Sequence, residues 1–260
     1  VCKPFNSTTR AWPFISLKYG VLRFMKSRNS LRALLGSILF AICYGVLTGF
    51  TGLLAPVLAW VLPPSWRQPV LNVHNHILLF LFRVVVGVKI EVIGRENLPA
   101  KNQPVVLAAN HQSEWETYLL QVLKTPISTV LKQELLSIPF FGWGLKMVQP
   151  IAIDRSKRAG ALKQILKQGK ERIQAGRSVL IFPEGTRTIP GKERDFNKGA
   201  AMLAASAKTP ILPVVHNAGH VWPGRTWRRY PGTITVVIGS LIDVEGKDTN
   251  QIHEEMETWM

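Results

Sequence analysis

Acidic residues are missing from the first third of this chain. Between Val1 and Ile90 there is no Asp or Glu, while ten Lys and Arg residues fall there, among them Arg28, Arg32, Arg67 and Arg83. They supply most of a net charge of +16, set by 32 Lys plus Arg against 16 Asp plus Glu. A hydrophobic content of 47% excludes a disordered basic tail. Cysteine is scarce as well. Cys2 lies at the extreme terminus and Cys43 in an apolar run, which excludes a disulfide framework or cysteine metal cluster and fits a reducing compartment. Zinc-ligand spacing, an aromatic RNA-binding strand and a recognition helix are also lacking, so a nucleic-acid partner is excluded. Basicity joined to apolarity then points to a membrane surface. The 260 residues have room for one large core and an appendage, with no internal repeat or low-complexity tract and no linker dividing the region after Ile90.

Charge is also absent from Ala33 to Trp66, where Cys43 and Tyr44 are the only ionisable residues. This run is long enough to span a bilayer, which takes about 20 residues, and too long and too far in for a cleavable signal peptide. Gly45, Gly49, Gly52 and Pro56 interrupt it. A re-entrant helix pair broken near Thr48 to Gly52 and a single tilted span both satisfy the pattern, and positive flanks on both sides favour neither orientation. Pro63-Pro64 should end the segment. Ahead of it, Val1 to Ser30 mixes aromatics with bases as an interfacial segment would. Behind it, Ile77 to Gly87 reads as an interfacial helix with Arg83 snorkelling to headgroups, or as a plain core helix. The expected organisation is a membrane-anchoring helical region over residues 1–89 and an α/β catalytic domain over 90–260, with a mixed sheet flanked by helices.

The chemistry gathers at Val105-Val-Leu-Ala-Ala-Asn110-His111-Gln-Ser-Glu-Trp-Glu116. The apolar run suits a strand covered on both faces, and Ser113 can cap a helix starting near Glu114. His111 falls in the turn, where Glu116 can orient its imidazole. Ser113-x-x-Glu116 also fits a capping box, in which the glutamate merely reaches back to the cap amide, and spacing alone does not choose between the two. A second polar loop, Phe182-Pro-Glu184-Gly185-Thr-Arg187, ends the strand-like run Ser178 to Phe182. Two such loops at strand ends define a site.

These two stretches, with Ile151-Ala-Ile-Asp154-Arg155 and Ile211-Leu-Pro213-Val-Val, resemble the four ordered blocks of the glycerolipid acyltransferase family, in particular the 1-acylglycerol-3-phosphate acyltransferases. The likeness covers roughly Ile90 to Asp243. One departure is Glu116, where the family usually has aspartate. The resemblance implies direct acyl transfer from a thioester, acyl-CoA or acyl carrier protein, to the sn-2 hydroxyl of lysophosphatidic acid, with no metal or dissociable cofactor. It implies His111 as general base, Glu116 as its orienter, and Arg187 and Arg155, assisted by Lys132 and the Gly185 amide, on the acceptor phosphate. Glu184, which would repel phosphate, braces Arg187 or binds the glycerol hydroxyl. The expected location is a bacterial inner membrane, with the catalytic domain on the cytoplasmic side. Other acceptors, glycerol 3-phosphate or a lyso-aminolipid, and a non-catalytic binder of anionic lipid are the competing readings. Ser113 is rejected as nucleophile, because a capping hydroxyl is already occupied and no glycine-flanked elbow surrounds it.

The remaining expectations are structural. Ile127 to Lys132 is a strand. Gln133 to Gly144 is a helix followed by an aromatic, glycine-punctuated loop. Ala159 to Ala175 is a helix whose basic face, Lys163, Lys167 and Lys170, meets water, anionic lipid or an acidic carrier. The loop Asn217 to Pro231, with Trp222, Trp227 and Arg229, suits a headgroup layer. His216 and His220 do not share a face, so they make a poor metal pair.

Overall fold

The computed structural model describes residues 31–156, 158–192 and 194–260, so the interfacial reading of Val1 to Ser30 lies outside the described residues. The apolar run folds as one uninterrupted helix, α1 (Leu31–Val61), about 46 Å long at about 1.5 Å per residue. Of the two alternatives the sequence left open, the break near Thr48 to Gly52 is not formed, and the run ends at Pro63-Pro64 as expected. A β-carbon at Gly52 would lie 2.4 Å from the Phe140 carbonyl oxygen, so this glycine permits a close backbone contact rather than breaking the helix. The chain turns instead at Leu62-Pro63. Pro64 opens α2 (Pro64–Leu81) at a position where its missing N–H costs nothing, and one wider turn, Phe82–Gly87, carries the helix on to the sheet. Arg67 Nε donates to the Leu62 carbonyl at 3.0 Å and closes the turn. Ile77 to Gly87 is therefore the latter part of this helix rather than a separate one.

The two helices are antiparallel. Phe40 meets Phe82 at 5.1 Å between ring centres, while Thr51 Oγ1 and His74 Nδ1 lie 3.1 Å apart. By length and composition both can cross a membrane. The outward side of α1 exposes Leu35, Leu39, Ile42, Val46, Phe50 and Leu53, a contiguous apolar face suited to hydrocarbon.

Seven strands follow: β1 (Val88–Ile93), β2 (Val106–Ala109), β3 (Ile127–Lys132), β4 (Ile151–Ile153), β5 (Ser178–Ile181), β6 (Ile211–His216) and β7 (Gly232–Ile238). Their spatial order is β1-β7-β6-β2-β5-β3-β4. All pairs are parallel except β6 with β7, which makes the sheet mixed, as expected. Central β2 is buried along its whole length, which is why it reads as an unbroken apolar run.

Alternation along the strands divides the core. Leu107, Leu180, Leu212 and Ile234 face the hairpin and α3 (Trp115–Leu123). Val106, Val179 and Ile181 face α5 (Arg158–Gln174), α6 (Gly199–Ala207) and α7 (Thr249–Trp259). Phe40, Leu78, Phe82 and Val86 of the helical hairpin belong to the first of these cores, together with Trp115 and Trp222.

Two local expectations change. The aromatic, glycine-punctuated loop expected up to Gly144 instead opens the helix α4 (Phe141–Met147), and Gly142 lets it lie close to its neighbours: a β-carbon there would approach the Leu136 carbonyl oxygen to 2.5 Å. Trp222, assigned to a headgroup layer, is 1% exposed. It packs on Phe82 at 4.9 Å and on Phe40 at 5.2 Å, with the Arg229 guanidinium 4.3 Å from its ring centre. Charge beside an indole pointed outward in the sequence, but the cation is itself half-buried and stacks.

Candidate active site

In the five strands β2 to β6, which run parallel, the C-terminal ends lie along one edge, and the loops leaving that edge carry the candidate site residues. His111 follows β2, Lys132 ends β3, Arg155 follows β4, and Glu184 to Arg187 follow β5.

The turn after β2 is fixed from the neighbouring strand. The Asn110 amide donates to the His216 carbonyl and accepts the His216 N–H, both at 2.9 Å. This clasp extends the β2–β6 pairing beyond the strand, so that the chain leaves the sheet at His111. The His216 ring completes it, with Nε2 2.9 Å from the Asn110 carbonyl and Nδ1 accepting from the Ala218 N–H. That pattern defines a neutral imidazole, and burial accordingly lowers the pKa of His216.

His111 Nδ1 lies 2.7 Å from Glu116 Oε1. The same oxygen accepts the Gln112 and Ser113 N–H groups at 3.0 and 2.8 Å. The capping and orienting readings of Glu116 are thus both realised by one atom, and the extra methylene relative to aspartate is absorbed without loss of the imidazole contact. Glu116 is fully buried. Burial raises its pKa, but the His216 and His111 imidazoles and the Ser113 N–H outweigh this and hold the carboxyl at about 2. With Glu116 ionised, His111 Nδ1 is the donor and Nε2 is left with its lone pair. The Phe182 ring stacks on the imidazole at 4.1 Å and 17°, setting the plane of the ring. Ser113 Oγ is buried and accepts from the Trp115 N–H at 3.0 Å, so its hydroxyl is occupied in the helix turn.

The loop after β5 is tied to the same turn. Glu184 Oε2 accepts the His111 N–H at 2.9 Å and lies 3.2 Å from Thr188 Oγ1, while the Thr188 N–H donates to the His111 carbonyl at 2.7 Å. Glu184 therefore braces the backbone of His111 rather than Arg187. Burial raises the Glu184 pKa. Gly185 adopts φ +70°, which favours glycine. Its N–H, offered by the sequence as a phosphate donor, bonds the Phe182 carbonyl in this turn at 3.0 Å, and its carbonyl accepts from Arg155 at 2.5 Å. Burial lowers the Arg155 pKa. Arg187 pairs with Glu114 at 3.2 Å, both half-exposed.

His111, Lys132, Arg155 and Arg187 line one cleft of about 400 Å³, with Tyr118 and Leu145 on its hairpin side. Sequence reasoning missed several members of the site. Glu114 carried no signal of its own, Arg225 was read only as part of a loop suited to a headgroup layer, and Phe182 was read as the last apolar residue of a strand. Asn110 stood in the motif but acquires a role only once β6 is known to lie beside β2. The arrangement can accept a proton at His111 Nε2, hold the resulting imidazolium against a buried carboxylate, and bind an anion with two guanidinium groups and an ammonium a short distance away.

Residues 89–217 match the family model described as Acyltransferase. A 1-acyl-sn-glycerol-3-phosphate acyltransferase of Pseudomonas aeruginosa is 48% identical over 185 residues, covering 70% of this chain and 71% of that protein. A protein of the same description from Saccharomyces cerevisiae is 37% identical over 139 residues, 52% of this chain and 45% of that protein. The crystal structure of the 1-acyl-sn-glycerophosphate (LPA) acyltransferase from Thermotoga maritima superposes with a TM-score of 0.72 at 23% identity, over 88% of this chain and 95% of that one, and so shares the fold.

Proposed function

The chain belongs to the acyltransferase family, and on that footing we propose that it transfers a fatty acyl group from a thioester, acyl-CoA or acyl carrier protein, to the sn-2 hydroxyl of 1-acylglycerol 3-phosphate, yielding phosphatidic acid. The observation that carries the reading is the common cleft of His111, Lys132, Arg155 and Arg187 beside an apolar hairpin. The relative from Pseudomonas aeruginosa supports the choice of acceptor.

His111 Nε2 takes the proton of the acceptor hydroxyl as its oxygen attacks the thioester carbonyl carbon, and Glu116 stabilises the imidazolium. The tetrahedral intermediate collapses with cleavage of the C–S bond, and the imidazolium returns its proton to the thiolate. Arg187, Arg155 and Lys132 neutralise the acceptor phosphate. Glu184 and the Gly185 turn hold the loop rather than the phosphate. The thioester is already activated, so the reaction requires no dissociable cofactor.

Residues 1–89 serve as the membrane anchor and residues 90–260 as the catalytic domain. The helical hairpin rides in a bacterial inner membrane, with the catalytic domain on the cytoplasmic side, where the acyl donors are made. Incubating membranes that carry the protein with labelled acyl donor and lysophosphatidate tests the reading. Wild type should form phosphatidate and His111→Ala should not, while both stay folded and membrane-bound. Turnover retained by His111→Ala would remove the imidazole as base.

A further inference from the structure

A second groove, of about 520 Å³, opens on the other side of the Phe182 to Gly185 loop, facing α5 and α6 rather than the hairpin. Its cations are Arg155, Arg194 and Lys198, and its apolar floor includes Leu162, Ile165 and Met202. Among the described residues Glu184 is the one acidic residue lining it, and that carboxylate is engaged by the His111 N–H and Thr188. Lys198 Nζ donates to Asn250 Oδ1 at 2.7 Å and is held at the rim. Arg194 is exposed and has no ion pair or side-chain hydrogen bond among the described residues. Arg155, Phe182 and Val130 line this groove and the catalytic cleft alike, so the two volumes meet at the loop on which the His111 ring is stacked.

The catalytic cleft must receive the acceptor phosphate on Arg187, Arg155 and Lys132 and must leave its hairpin side to acyl chains. A thioester donor reaching the same imidazole carries a second anionic part, which cannot enter an apolar wall and is repelled by a phosphate already bound. The second groove meets both demands. It opens away from the apolar hairpin, it touches the reacting centre through Phe182, and it combines a thin apolar floor with two cations, Arg194 and Lys198, that lie outside the catalytic cleft and that the acceptor does not use. We propose that it holds the phosphorylated pantetheine handle of the acyl donor, with Arg194 and Lys198 on the phosphate and Met202 against the pantetheine chain. This rests on the transfer reading given above.

Equilibrium dialysis of the full chain in detergent against labelled coenzyme A tests the site without requiring turnover. Arg194→Gln and Met202→Trp should each weaken coenzyme A binding about tenfold, the first by removing a phosphate contact and the second by filling the floor. In steady-state transfer, Arg194→Gln should raise KM for the thioester by a similar factor and leave KM for lysophosphatidate within about twofold. Displacement of coenzyme A by 4′-phosphopantetheine would identify the phosphate shared with carrier-protein donors. Displacement by adenosine 3′,5′-bisphosphate but not by 4′-phosphopantetheine would place the nucleotide there instead of the handle and overturn the assignment. Unchanged coenzyme A binding in both variants would overturn it, as would a loss in Arg194→Gln that fell on lysophosphatidate instead. Wild type that binds coenzyme A through this groove but transfers no acyl group would sink the transferase reading and leave the groove standing. Wild type that transfers while both variants bind as it does would sink the groove alone.

Discussion

Replacing Glu116 by glutamine separates the two roles that meet on one oxygen. The amide oxygen can still accept from the Gln112 and Ser113 N–H groups and from His111 Nδ1, so the turn and the imidazole tautomer survive. The negative charge does not. A carboxylate and an imidazolium whose charge centres lie about 4 Å apart attract by about 4 kcal/mol at an effective dielectric of about 20. If half the charge has developed in the transition state, the loss is about 2 kcal/mol, or about 30-fold in kcat, rising towards about 1000-fold for full transfer. Stability should fall as well. Glu116 Oε2 is buried without a hydrogen-bond partner, so a glutamine NH2 placed there is an unsatisfied donor costing about 1 to 3 kcal/mol. The folded-state pKa of Glu116, about 2 against an ordinary 4.5, sets the sign with pH. Its contribution to stability is fully present above pH 4.5 and lost as pH falls towards 2, so the gap between wild type and variant should close over that window. The assays are labelled-acyl transfer at saturating substrate and chemical denaturation in detergent from neutral to acid pH. Activity within about threefold of wild type would refute the charge-stabilising role and leave Glu116 a hydrogen-bonding orienter and helix cap.

Four further outcomes are expected. Glu114→Gln removes the carboxylate that competes with phosphate for Arg187, and should lower KM for lysophosphatidate by up to about fivefold at low salt, with the gain fading at high salt. Asn110→Ala breaks the clasp to His216 and should cost about 1 to 3 kcal/mol by denaturation, with a loss of kcat as His111 is released. Gly52→Ala puts a methyl group against the Phe140 carbonyl and should destabilise by about 1 to 3 kcal/mol, seen as an earlier thermal transition in detergent. His216 is held neutral when folded while the unfolded imidazole titrates at its ordinary 6.5, so its contribution is present above that pH and lost as pH falls below it; His216→Gln should flatten the stability profile there.

The strands were legible where burial repeats along the backbone. Ile127 to Lys132 has the expected bounds, and the apolar run before Asn110 ends where the imidazole is needed. The active edge was legible because strand ends and motif residues coincide in sequence. What escaped depends on partners far along the chain. A glycine that touches the Phe140 carbonyl and a glycine that breaks a helix look alike until the neighbour is known, so the sequence left a break near Gly52 open beside an unbroken helix ending at Pro63-Pro64. Trp222 lies in a loop rich in arginine, and its burial follows from rings on the hairpin, α2 and α3. Glu184 faces an N–H donated by residue 111, which no local pattern pairs with it.

The hydroxyls of Tyr44 in the hairpin and Tyr118 on the wall of the cleft lie 2.9 Å apart. On the membrane reading proposed above, that contact couples the seat of α1 to the height of His111, so the depth at which the hairpin rides would also set the level at which the cleft meets the lipid. A lysophospholipid can then slide in sideways from its own leaflet without first leaving it. Turnover should accordingly follow the mole fraction of acceptor in the surface, and diluting it with inert lipid should slow the reaction even when the total amount in the tube is unchanged.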